Sequence, residues 1–117
     1  MYGIQRVSQT WVAIILEKTL NDKIKWKDIS AGHEYYQYKN EVICITLSRF
    51  TININNSDNN IEHNMYLKIV FCGNTYQGFY TDRDSDKGYN EIDLHDLYKS
   101  VLDQFSSDRL EKYLNDL

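Results

Sequence analysis

Apolar positions alternate most persistently between Glu41 and Ile54, in the run EVICITLSRFTINI. The run is rich in Ile, Val, Thr and Phe, residues that fit a pleated, half-buried surface. Its alternation changes phase part-way. Ile43, Ile45 and Leu47 share one parity, and Phe50, Ile52 and Ile54 share the other. Strand side chains alternate with a period of two, so a one-residue shift moves a side chain to the opposite face. The pattern predicts one of two things. Either a bulge near Ser48–Arg49 resets the register, or a long central strand buries one face at its start and the other at its end.

The segments around this run take their types from the same periodicities. Ile4 to Asn21 reads as a helix, with Ile4, Val7, Trp11, Ile14 and Ile15 on one side and Val12, Leu16 and Leu20 on a second stripe. So wide an apolar arc predicts a helix covered both by a sheet and by another helix. Lys23 to Trp26 reads as a short extended segment ending in an anchoring aromatic, and Asp28 to His33 as a turn. Glu34 to Tyr38 is a strand joined by Lys39, Asn40 and Glu41 to the central run as a hairpin. Asn55 to Asn64 is a polar, asparagine-rich loop. Met65 to Cys72 and Thr75 to Thr81 are strands about a turn at Gly73–Asn74. Asp82 to Tyr89 is an acidic loop, and Asn90 caps a helix with Glu91 and Asp93 in its first turn. That helix carries Leu94, Leu97, Tyr98, Val101, Leu102 and Phe105 at helical spacing, and Trp11 and Leu97 are expected to be buried. Ser106 to Asp108 reads as a second cap, before a last helix striped with Leu110, Tyr113, Leu114 and Leu117. Strands grouped between helices predict one α+β domain over residues 1–117. It has an N-terminal helix, an antiparallel sheet of four to five strands and one or two C-terminal helices.

Composition narrows the function classes. A chain of 117 residues suffices for one core without disulfides or metal. Cys44 and Cys72 therefore read as free thiols. Proline is absent, so turns must come from Asn, Asp, Ser and the five Gly. A net charge of -4 provides no general attraction to phosphate backbones or anionic lipid, so neither nucleic acid nor membrane is expected as a partner. The longest apolar run, Trp11 to Leu16, is far short of a membrane span, and no signal-peptide pattern is present. A cytoplasmic location is the expectation.

Leu16, Thr19, Ile24 and Trp26 form the pattern L-x-x-T-x-x-x-x-I-x-W. A tyrosine-bearing strand follows, then the isoleucine-rich run, the Tyr66-Leu67-Lys68-Ile69 strand and a late Leu97-Tyr98 pair. In these features the chain resembles a loose group of short, mostly uncharacterised bacterial and phage proteins of mobile elements. The resemblance covers most of the chain and consists of core positions. It implies an α+β fold and a mobile-element setting, and it brings no catalytic residues. The Asn55 to Asn64 loop is longer than the usual pattern of the group.

Three constellations could carry chemistry. Asp82, Asp84 and Asp86, with Asp93 further on, place carboxylates at alternate positions as a calcium loop does. Against this, Lys87 stands where the turn glycine belongs, the last acid is Asp rather than Glu, and a strand precedes the loop. A solvated capping turn is the simpler expectation. His33, His63 and His95 lack metal-ligand spacing, and no phosphate loop or nucleophile elbow is present, so neither a cofactor nor enzymatic activity is expected. The tyrosines are the third. Tyr36, Tyr38 and Tyr98 fit a core. If Ile43, Ile45, Leu67 and Ile69 face the helices, then Tyr66, Val70 and Val42 face away, with Lys68, Thr46 and Tyr35 nearby, as does one of Tyr76 and Tyr80. Such a face is too apolar for plain solvent. It predicts a non-enzymatic module that binds a protein partner or forms a homodimer, such as a stoichiometric inhibitor or immunity-type protein of a mobile element. The alternative is a nucleotide-type small-ligand binder with a tyrosine-lined pocket.

Overall fold

Strand β4 (Ile43–Asn53) pairs antiparallel with strand β5 (Ile61–Phe71) without interruption, from Ile43 opposite Phe71 to Asn53 opposite Ile61. The computed structural model describes residues 5–30, 34–53, 61–81 and 92–117. The unbroken register removes the bulge near Ser48–Arg49 and leaves the single long strand. Residues 61–64 belong to β5 and not to the polar loop. Their pairing with β4 outweighs the weak strand preference of Glu62 and Asn64.

The sheet has six strands in the order β1-β6-β5-β4-β3-β2. Strand β3 (Glu34–Lys39) pairs with β4, and the short β2 (Lys27–Asp28) pairs with β3, both antiparallel. Strand β6 (Asn74–Thr81) pairs antiparallel with β5. Strand β1 (Gln5–Arg6) runs parallel to β6, so the sheet is mixed. The α+β class holds, with six strands against the expected four to five. Gln5 and Arg6 were expected to be helical. Instead they join the sheet edge, where the Val7 amide donates to the Gln77 carbonyl at 2.9 Å and Val7 is buried. Further along the same edge, the Ile92 amide donates to the Phe79 carbonyl. Gly78 is needed there, because a Cβ would overlap the Ile92 side chain and lie 3.3 Å from Val7 Cβ.

The β5–β6 turn is Cys72–Gly73, with Phe71 opposite Asn74. Both turn residues have positive φ, 50° and 79°, as the turn that suits the twist of a hairpin requires. Glycine takes the second of the two positions, which moves the turn one residue earlier than Gly73–Asn74. That shift moves each β6 partner by two residues and leaves the faces of β6 unaltered. Tyr76, Gly78 and Tyr80 point to the helices, and Phe79 points away.

Helix α1 (Gln9–Leu20) starts at Ser8, whose Oγ accepts from the Trp11 amide. It ends with Asp22 in the left-handed region and the Lys23 amide donating back to the Lys18 carbonyl. Val12, Ile15 and Thr19 are buried, whereas Trp11, expected in the core, is 39% exposed. Helix α2 (His95–Asn115) is continuous, so no second cap exists at Ser106 to Asp108. It begins later than expected. Asp93 precedes it, and its Oδ1 accepts from the His95 amide. Asn90 and Glu91 lie outside the described residues.

Two amide side chains set α2 parallel to α1. At one end, Gln9 exchanges two hydrogen bonds with the Asp93 backbone. At the other, Gln104 Oε1 accepts from the Trp26 amide, and its Nε2 donates to the Thr19 and Ile24 carbonyls at 3.0 and 2.7 Å. Trp26 Nε1 donates to Thr19 Oγ1, so the anchoring tryptophan is buried with its polar atom satisfied. Both helices lie on the face carrying Tyr36, Ile45, Leu47, Met65, Leu67 and Ile69, and that layer is the core.

Leu97 is 1% exposed within this core. Leu97→Ala should lower unfolding free energy in urea by about 2–5 kcal/mol. A loss under about 1 kcal/mol would contradict its central position.

Candidate functional site

With both helices on one side, the other sheet face has no helical layer among the described residues. The strand registers arrange it in rows. Tyr35, Ser48, Tyr66 and Phe79 lie opposite one another on β3, β4, β5 and β6. The next row is Gln37, Thr46, Lys68 and Gln77, and the one after is Lys39, Cys44, Val70 and Thr75. Tyr66 and Phe79 stack with centroids 4.7 Å apart and planes inclined 44°. Burial, then the proximity of Tyr35, raises the Tyr66 hydroxyl above its ordinary pKa. Ser48 and Thr46 are small, lie between longer neighbours and are buried. Tyr35, Tyr66, Lys68 and Val70 are half-buried, and Phe79 is exposed.

Five of the six residues predicted for a contact surface, Tyr35, Thr46, Tyr66, Lys68 and Val70, therefore share this face. Val42 does not join their centre. It sits in the β3–β4 turn, its amide held by Asn40 Oδ1, and is separated from Tyr66 along the strands by about 20 Å. Phe79 takes the place expected for Tyr76 or Tyr80. Sequence parity alone could have found its face, because a two-residue turn at either position leaves Phe79 pointing away from the helices; the turn at Cys72–Gly73 only sets it opposite Tyr66 instead of Lys68.

The helix-bearing face contains a polar cluster at the row Glu34–Arg49. The Tyr98 hydroxyl donates to the Glu34 carboxylate at 2.7 Å, the Tyr36 hydroxyl at 3.4 Å, and Arg49 Nη1 at 3.1 Å. The Arg49 guanidinium also lies 5.3 Å from the Tyr98 ring centre. Burial and the adjacent Glu34 charge push the Tyr36 hydroxyl up to about 12. Burial and the hydrogen bond to Glu34 push Tyr98 up as well. This carboxylate is surrounded by donors, so its chemistry is that of a joint between β3, β4 and α2.

Two concavities among the described residues bear on binding. An apolar groove of about 360 Å³ lies beside α1, lined by Trp11, Ile14, Ile15, Ile43, Phe71 and Tyr76 among others. Trp11 meets Tyr76 edge-on at 5.1 Å. A cleft at the other sheet edge is lined by Lys25, Lys27 and Lys39 together with Gln37, Tyr38, Asn40 and the single acid Glu41, a mainly basic grouping that their scattered sequence positions conceal.

Asp82, Asp84 and Asp86 of the proposed calcium loop lie outside the described residues, as does His33. Asp93 is occupied at the entrance to α2. Among the described residues no group of three or more His, Cys, Asp or Glu side chains converges, and no helix is long and apolar enough to cross a membrane. Both cysteines are free; Cys44 is half-buried and Cys72 is exposed in its turn. Comparison with family models, curated proteins and solved structures returns no match.

Tyr36 loses its proton near pH 10 in the unfolded chain and near 12 in the fold. The stability due to this difference is complete below pH 10 and is lost as pH rises toward 12. Glu34→Gln should move the tyrosinate absorbance of Tyr36 back toward 10, with Tyr98 shifting in the same direction. An unchanged alkaline titration would contradict the role of Glu34.

Proposed function

We propose that the protein is a non-enzymatic module whose contact surface is the helix-free sheet face. The observation that supports this reading is the row Tyr35–Ser48–Tyr66–Phe79, three aromatics aligned across four strands and still reachable by solvent. Tyrosine and phenylalanine combine large apolar area with low ordering cost, and binding energy concentrates in such anchors. Lys68 and Gln77 supply polar contacts in the adjacent row. The net charge of -4 favours a basic protein through electrostatic steering. In the mobile-element setting suggested by the L-x-x-T-x-x-x-x-I-x-W opening, this is a stoichiometric inhibitor or immunity-type protein. Its target would be a nucleic-acid-handling enzyme of positive charge, and its place of action the cytoplasm.

A partner retained from bacterial lysate by the wild-type protein should be lost on Tyr66→Ala. Titration of that purified partner should show binding weakened about 10-fold or more. The fold should survive, since the Tyr66–Phe79 contact contributes only about 0.5–1.5 kcal/mol beyond area burial. Lys68→Glu should act chiefly on association rate and its salt dependence. Undiminished binding by Tyr66→Ala and Phe79→Ala would remove this face from consideration.

The basic cleft supports a second reading, a nucleotide-type ligand held by Lys25, Lys27 and Lys39 against Tyr38. ATP at one hundred times its dissociation constant would then stabilise the protein by about 2.7 kcal/mol. Lys27→Glu combined with Lys39→Glu would abolish the effect. A melting temperature unmoved by ATP would exclude the cleft.

A further inference from the structure

Helix α2 changes character half-way. At about 100° per residue, Leu94, Leu97, Tyr98, Val101, Leu102 and Phe105 share the core-facing side. Leu110, Tyr113 and Leu114 centre roughly 150° around the helix from that side. The second stripe is therefore no continuation of the first. It turns away from the sheet, and its residues with Leu117 are 55% to 84% exposed. The helix continues for about 16 Å beyond the Gln104 clamp, as an amphipathic extension whose apolar side meets no described element.

The same chain carries an unfilled apolar groove, in which Trp11, Ile14 and Phe71 are 39% to 48% exposed. An extension cannot reach its own groove. The helices are parallel, with Gln9 at Asp93 and Thr19 at Gln104, so the extension departs beyond the C-terminal end of α1. The groove lies along the first turns of α1, and a continuous helix has no hinge with which to fold back.

We propose that two copies exchange these elements, each extension laying Leu110, Tyr113 and Leu114 into the Trp11–Ile14–Phe71 groove of the other. This is a helix-in-groove contact closed by a two-fold axis. The area supports a second copy as occupant. The exposed parts of Leu110, Tyr113, Leu114 and Leu117 amount to roughly 500 Å² and those of Trp11, Ile14 and Phe71 to roughly 300 Å², together comparable with the roughly 800 Å² per partner of a stable interface. Neither feature alone reaches that size. The exchange leaves Tyr66 and the open sheet face outside the contact, so it goes beyond the function proposed above and does not depend on it.

Light scattering coupled to size exclusion tests the exchange. The wild-type protein should have the mass of two chains at about 100 µM and approach one chain near about 1 µM. Leu114→Glu on the extension and Ile14→Glu in the groove should each weaken the pair about 100-fold or more, because one substitution strikes both contacts of a symmetric dimer. Phe71→Glu provides a second groove variant, and circular dichroism melts confirm that each variant folds. A single-chain mass at all concentrations overturns the proposal. So does a dimer lost only with the extension variant, which is tail-to-tail pairing, or only with the groove variants, which is groove-to-groove pairing. A dimer lost with Tyr66→Ala alone places the contact on the sheet face, and a ladder of larger species shows open head-to-tail association; both overturn it.

Discussion

The unbroken hydrogen-bonded ladder between β4 and β5 is the constraint on which the remaining structure depends. From Ile43 opposite Phe71 to Asn53 opposite Ile61 there is no inserted residue. With a side-chain period of two, the parity of Leu47 and Leu67 becomes that of the whole helix-bearing layer. The same parity sends Ser48 and Tyr66 to the other side. The neighbouring strands inherit this choice through their own registers, so Tyr36 enters the core while Tyr35 joins the open face. Core and candidate contact surface are two sides of one ladder.

The helices are positioned on that ladder by polar contacts as much as by apolar packing. Gln9 and Gln104 each satisfy backbone groups of a distant segment. Their two clamps fix which end of α2 meets which end of α1. Glu34, with Tyr98 and Arg49, fastens α2 to β3 and β4. Breaking such a partly buried network leaves donors without acceptors, which costs more than its formation contributes. It also gives the layer a defined orientation that leucines alone would not impose. A consequence is that α1 presents Trp11 and Ile14 to an uncovered corner of the sheet, and α2 overshoots its partner.

These placements divide the surface into regions of different chemistry. The open face has aromatic anchors followed by an amide and lysine row. The groove beside α1 is almost wholly apolar. The cleft at the β2–β3 edge is basic within an acidic protein. The open face and the groove are held by strands and α1, whereas the cleft also takes Lys25, Asn40 and Glu41 from the connections beside β2 and β3.

Periodicity in the sequence determined the α+β class, the opposing parities of Tyr66 and Leu67, the burial of Leu97 and Trp26, and the apolar stripe ending the chain. These follow from local chemistry, because alternation and helical spacing are written into neighbouring residues. Other features depended on pairing across the fold. Residues 5–6 became strand because the edge of β6 was available, and 61–64 because β4 offered partners. The turn moved to Cys72–Gly73, and with it Phe79 came to lie opposite Tyr66 instead of Lys68, because positive φ is tolerated best at glycine in the second position. Trp11 was left half-exposed because α2 settled on the other flank of α1. The meeting of Lys25, Lys27 and Lys39, and the rotation of Leu110 and Leu114 away from the core, required the three-dimensional path of the chain. No local pattern records which elements lie side by side or which face a continuous helix turns outward.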